Sequence, residues 1–144
     1  MCGVLAIISR NIDTDIGNEK ILEAGVKSLK SLSHRGPDMC GHTYSSGVFL
    51  GHTRLSINDL TSFSRQPFPF VGDNLEENRL IFNGEIFNYR DASLNAFDEN
   101  NLHSDTQVLW NFIKSRNYDL LKNDLNQLNG MWAFLYYDHK EGSI

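Results

Sequence analysis

The sequence predicts an α+β domain in which strands group into sheets that helices cover. Two apolar runs of strand length, residues 4–8 and 131–137, carry the β part of that reading. Two other stretches, 19–32 and the one opened by Ser104, space their apolar residues at helical intervals. Between them lie short segments rich in turn residues, with no repeat, low-complexity tract or linker.

Residues 4–8 read as a buried strand followed by polar Ser9, Arg10 and Asn11, which places Cys2 at its leading end. From 19 to 32 the positions Ile21, Leu22, Val26, Leu29 and Leu32 form one helical stripe, with Lys20, Lys27 and Lys30 largely off it. His34-Arg35-Gly36-Pro37-Asp38 ends this helix, because Pro37 disfavours the helical conformation at Gly36. Strand-like segments follow at 47–52 and 54–57, then a loop with Pro67 and Pro69 to about residue 78. Residues 79–82 are strand-like and run into Asn83-Gly84, a hairpin signal, with 85–89 as the return strand. Ser104 and Gln107 match a capping box that opens a helix with Val108, Leu109, Phe112 and Ile113 on its apolar face. Leu120, Leu121, Leu125 and Leu128 indicate a second, short helical region, broken by Asn129-Gly130. Residues 131–137, the most apolar stretch, read as a buried strand.

With 144 residues the chain suffices for one domain with a core and is too short for two comfortable ones. A net charge of −5 argues against binding nucleic acid or an anionic membrane surface. No stretch approaches the ~20 apolar residues of a membrane span, and no secretion signal opens the chain. Two cysteines, Cys2 and Cys40, do not make a disulfide framework, and cytoplasm is the default location. Cys40-Gly41-His42 lacks the usual metal-ligand spacing, so no metal is expected and Cys40 reads as packing. Phe68, Phe70, Trp110, Trp132 and Phe134 read as core or interface.

Cys2 is the residue with the most chemistry. Removal of Met1, which a small second residue favours, gives it a nucleophilic thiol and a free α-amine together. The amine's reference pKa of about 7.7–8.0 lies close to the thiol's about 8.5, so the amine can take the thiol's proton and return it to a leaving group. Position alone also fits an ordinary small residue at a frayed start. Arg54 alone reads as a surface arginine, Asp105 as an acid in a helix first turn, and Asn83-Gly84 as a turn.

Five segments occur together in order: Met1-Cys2-Gly3, His34-Arg35-Gly36-Pro37-Asp38, the run from Gly51 to Ile57 with Gln66-Pro67, Asn83-Gly84-Glu85-Ile86-Phe87-Asn88-Tyr89, and Ser104-Asp105-Thr106. This constellation resembles the glutaminase domain of class II, N-terminal-nucleophile glutamine amidotransferases. Within that class it is most similar to the N-terminal domain of glutamine-hydrolysing asparagine synthetases, a type marked by Pro37-Asp38 and Gly84-Glu85-Ile86. The resemblance runs from residue 1 to at least Asp138. It implies an αββα sandwich of two stacked, mainly antiparallel sheets covered by helices, with the final strands of the full domain lacking.

The resemblance also implies roles. Cys2 attacks the side-chain amide of glutamine, and Asn83 and the Gly84 N–H stabilise the oxyanion. Arg54 clamps the substrate's α-carboxylate, Asp105 receives its ammonium, and Glu85 is a further polar contact. Leu55, Ile57 and Asn58 line the pocket through backbone atoms. Residues 34–38 shape the loop beside the nucleophile, and Arg35 helps hold the substrate. The implied partners are glutamine and a synthetase domain or subunit that consumes the ammonia, and a homodimer stays open. No cofactor is expected in this chain, because ATP and Mg belong to the synthetase domain, which lies outside residues 1–144. Two other readings stand beside this one: a truncated or non-catalytic glutamine-binding or regulatory module, and the glutaminase half of another amidating enzyme of the surface-sugar or β-lactam synthetase type.

Overall fold

A computed structural model describes residues 1–9, 15–45, 47–57, 60–69, 78–91, 104–114, 121 and 125–144. In chain order the elements are β1 (Gly3–Ile8), α1 (Asp15–Ser31), β2 (Met39–Ser45), β3 (Val48–Arg54), β4 (Arg79–Ile86), α2 (Asp105–Lys114) and β5 (Gly130–Tyr137). Single 3₁₀ turns sit at Ser62–Ser64 and Leu125–Gln127. The protein is α+β, with two antiparallel sheets: β1-β3-β2, and β4 paired with β5.

Strand periodicity divides β3, which is buried along its whole length. Phe49 and Gly51 face α1, where Leu29 is 1% exposed, and Gly25 approaches so closely that an added Cβ would lie 2.5 Å from the Phe49 ring. That approach explains a glycine inside a helix, a position that costs about 1 kcal/mol against alanine. Val48 and Leu50 face the other way and pack with Ile81 and Tyr137 from the second sheet. The opposite face of β4, Leu80, Phe82 and Ile86, packs on Val108, Leu109, Phe112 and Ile113 of α2.

Several local expectations meet this structure directly. Helix α2 starts where the Ser104 cap places it, with the Gln107 N–H donating to Ser104 Oγ at 3.3 Å. Helix α1 begins four residues earlier than the stripe indicates and leaves Leu22 37% exposed. Of the strand-like pieces 47–52 and 54–57, one strand forms, β3, which ends at Arg54 and leaves 55–57 outside it, and β2 stands where no strand is expected. The β1 and β5 runs are half-exposed rather than buried, with Met131 72% exposed. Asn83-Gly84 is not a hairpin turn: β4 runs straight through it, and its partner is β5, in register Asn83↔Ala133 and Gly84↔Trp132. Of the expected 120–128 helical region, the described residues show the turn at Leu125–Gln127. Phe68, Trp110, Trp132 and Phe134 pack partly buried against the core, Phe70 lies outside the described residues, and Cys40 is exposed rather than packed.

Candidate active site

Cys2 immediately precedes β1, whose first residue Gly3 pairs with Thr53 near the end of β3. The nucleophile candidate therefore stands across the sheet from Arg54. Its thiol is half-buried and fixed by the next backbone step. The Leu55 N–H donates to Cys2 Sγ at 3.4 Å, and the thiol reaches the Leu55 carbonyl at 3.7 Å. The Arg35 Nε–H donates to the Cys2 carbonyl at 3.0 Å, so Arg35 holds the backbone beside the thiol. The 34–38 loop braces the same place from below. Asp38 accepts the Ser56 N–H at 2.7 Å, and its own N–H donates to the Arg54 carbonyl at 3.0 Å.

Arg54 continues the row of β3 side chains that faces the second sheet. It is 6% exposed, and its Nη1 donates to the Thr61 carbonyl at 2.6 Å. It lines a cleft of about 210 Å³ together with Cys2, Leu55, Ile57 and residues of β4 and α2. Pockets for drug-sized ligands run about 300–1,000 Å³, so this cleft suits a ligand the size of an amino acid.

The second wall is β4. Leu80 exchanges both backbone hydrogen bonds with Phe68, at 2.7 and 2.8 Å, on the edge away from β5. Backbone groups alternate sides along an antiparallel strand, so Phe82, Gly84 and Ile86 present theirs to that same edge. The Phe82 N–H donates to Gln66 Oε1 at 2.6 Å, and the Ile86 N–H donates to Asp105 Oδ2 at 3.3 Å. The Gly84 N–H lies between these two clamped positions, where Asn83, Gly84 and Glu85 line the cleft. A side chain at Gly84 has no room: an added Cβ would lie 2.3 Å from the Met131 carbonyl oxygen.

Asp105 is the first residue of α2, a place that suits an anion, and it is 5% exposed. Its Oδ1 accepts the Thr106 N–H at 2.8 Å. Burial pushes its carboxyl above the usual range, the backbone donors of Ile86, Thr106 and Asp105 itself pull it part of the way back, and nearby Glu85 raises it further. Beneath it, the Ser64 hydroxyl donates to Ser104 Oγ at 2.8 Å.

The structure thus brings Cys2, Arg54, Leu55, Ile57, Asn83, Gly84, Glu85 and Asp105 to one cleft. Asn58 lies outside the described residues. Ser64, Gln66, Ser104 and Thr106 line the same cleft, although sequence reasoning reads Ser104 only as a helix cap and gives the other three no role in the site. The only sign of them was position, since each stands in or beside a quoted segment. Among the described residues no cluster of His, Cys, Asp and Glu could hold a metal ion, and no helix is long and apolar enough to cross a membrane.

Comparison with known proteins gives a consistent picture. The profile of a family described as a glutamine amidotransferase domain matches residues 1–144. A putative asparagine synthetase [glutamine-hydrolyzing] 2 of Methanocaldococcus jannaschii is 34% identical over 100% of this chain and 29% of its own length. The amidase chry2 of Gibberella zeae is 32% identical over 100% of this chain and 22% of its own. An asparagine synthetase [glutamine-hydrolyzing] of Asparagus officinalis is 29% identical over 96% of this chain and 22% of its own. The chain therefore spans between about a fifth and a third of these relatives' lengths.

Proposed function

The chain belongs to the glutamine amidotransferase domain family, and from that premise we propose that it hydrolyses the side-chain amide of glutamine to glutamate and ammonia through Cys2. The fold reading that goes with it is an N-terminal-nucleophile αββα sandwich. It is supported by α1 packing on the first sheet, the two sheets packing on each other, and α2 covering the second.

The observation that carries the function is the convergence of a thiol, a free edge amide and both halves of an amino-acid clamp on one small cleft. Arg54 binds the α-carboxylate, for which a planar guanidinium supplies two parallel donors. Asp105, helped by Glu85, receives the α-ammonium. Leu55 and Ile57 line the binding pocket, and Asn58 is assigned to it by family resemblance. With both ends of the amino acid held, the γ-amide is directed at Cys2.

After Met1 is removed, the α-amine of Cys2 takes the thiol proton as sulfur attacks the amide carbon. Charge develops on the amide oxygen, where the Asn83 side-chain amide and the Gly84 N–H are the donors. Loss of one such donor typically costs about 10²–10³ in rate. The amine returns the proton to the leaving nitrogen, ammonia departs, and a γ-glutamyl thioester remains on Cys2. Water, deprotonated by the same amine, then releases glutamate and regenerates the thiol.

The relatives named as glutamine-hydrolysing asparagine synthetases are several times longer than this chain, which supports an ammonia-supplying role. The consumer would be an ATP-dependent synthetase domain or subunit that makes asparagine. The test is the intact mass of the purified protein before and after a glutamine-analogue electrophile that alkylates thiols. Loss of Met1 and a single adduct mapped to Cys2 are expected. A folded protein that keeps Met1, or carries no adduct at Cys2, would overturn the assignment.

A further inference from the structure

Gln66 is 4% exposed, lines the cleft, and touches two of the elements that build it, β4 and α2, as well as β2 behind it. Its Oε1 accepts the Phe82 N–H from β4 at 2.6 Å, and its Nε2 donates to Thr106 Oγ1 at the start of α2 at 3.4 Å. Its backbone carbonyl lies against β2, where a Cβ on Gly41 would come within 2.1 Å of it. The other backbone group of Phe82 is held as well: His52 Nε2 from β3 donates to the Phe82 carbonyl at 3.1 Å. Four residues further along β4, Asp105 secures the Ile86 N–H on the same edge.

We propose that Gln66 is a positioning residue that fixes the oxyanion donors of β4 against Cys2. This rests on the glutaminase reading above. Sheet pairing with β5 sets the register of β4, and on the other edge the backbone pairing of Leu80 with Phe68 stops short of Asn83 and Gly84. Clamps at Phe82 and Ile86 straddle Gly84 and hold that edge, so the Gly84 N–H and the Asn83 side chain meet the developing charge at a fixed place. The side-chain amide suits the post because it offers an acceptor to β4 and a donor to α2 together. A displacement of about 1 Å in such a donor is enough to lower a rate about 100-fold.

The test pairs steady-state glutamine hydrolysis with amide hydrogen exchange in Gln66→Met and Gln66→Glu. Gln66→Met keeps the volume and loses both hydrogen bonds. It is expected to lower kcat about 10- to 100-fold with KM within about threefold of the parent. Exchange should quicken at Phe82 while Ile81 and Asn83, which bond towards β5, stay protected. Gln66→Glu, which retains an acceptor for Phe82, should keep both the protection and most of kcat. It also decides the matter if Gln66→Met does not fold. Protection at Phe82 and kcat that change together across the variants support the proposal. Either one changing without the other, or KM rising as far as kcat falls, overturns it. A parent protein with no glutaminase activity sinks the proposed function instead, and the exchange comparison then decides by itself whether Gln66 holds the strand.

Discussion

Asp105 serves two structures at once: its carboxyl caps its own helix and β4, and it lines the cleft. Because burial raises its carboxyl, the proton returns to it at a higher pH than to an ordinary aspartate. Only the carboxylate attracts an ammonium, so glutamine affinity is lost as pH falls through that raised value. We expect KM for glutamine to climb on acidification before the usual carboxylate range is reached, and Asp105→Asn to raise KM and flatten that limb. A KM independent of pH across this range would remove Asp105 from its role. Arg54 gives the complementary test. Charge-assisted hydrogen bonds contribute about 1.5–3 kcal/mol, so Arg54→Ala should weaken glutamine binding about 10- to 100-fold with a smaller change in kcat. An unchanged KM would show that another group binds the carboxylate. Each of these residues has a plain reading when taken singly, and only their order along the chain separated the site from the background.

At the scale of elements, local signals were legible and distant pairings were not. The Ser104 cap and the apolar face of α2 are written within ten residues and appear as read. Asn83-Gly84 misled because the dipeptide's local preference is a turn, whereas its actual partner β5 lies far along the chain. Strand β2 was missed because Gly41, His42 and Thr43 make no apolar run; its pairing with β3 and its closeness to Gln66 define it. The glycine of the false turn has a different task, letting β5 pass: its φ is +156° and the Met131 carbonyl fills the space a side chain needs. Gly84→Ala should therefore destabilise the fold by about 1–3 kcal/mol, as overpacking does, and displace the edge amide. Urea unfolding with an accompanying loss of kcat checks this. A variant of parental stability would mean that β5 shifts at no cost.

For the whole molecule the decisive seam is the one between the two sheets, because Arg54 belongs to one, with Cys2 at the head of its β1 strand, and Asn83 and Gly84, the proposed oxyanion donors, belong to the other. Beside the apolar contacts of Val48 and Leu50 with Ile81 and Tyr137, buried His52 spans that seam through its bond to the Phe82 carbonyl. His52 is 1% exposed, and burial lowers its pKa to about 4 from 6.5. The folded state therefore keeps His52 neutral where the unfolded chain already takes up a proton. Stability conferred by neutral His52 is complete above about pH 6.5 and declines as pH falls towards 4. Each unit of that window corresponds to about 1.4 kcal/mol, so the whole effect is on the order of 3 kcal/mol. Asp105 acts in the opposite sense, since its raised value means that protonation on acidification relieves a cost of folding. The quantity to read is thus the difference between the parent and His52→Gln, which keeps a donor for the Phe82 carbonyl and cannot titrate. Denaturant unfolding from pH 7.5 to 4 should show the parent losing more stability than the variant between 6.5 and 4. Parallel curves would mean that His52 is protonated in the folded protein and that the seam is open to water.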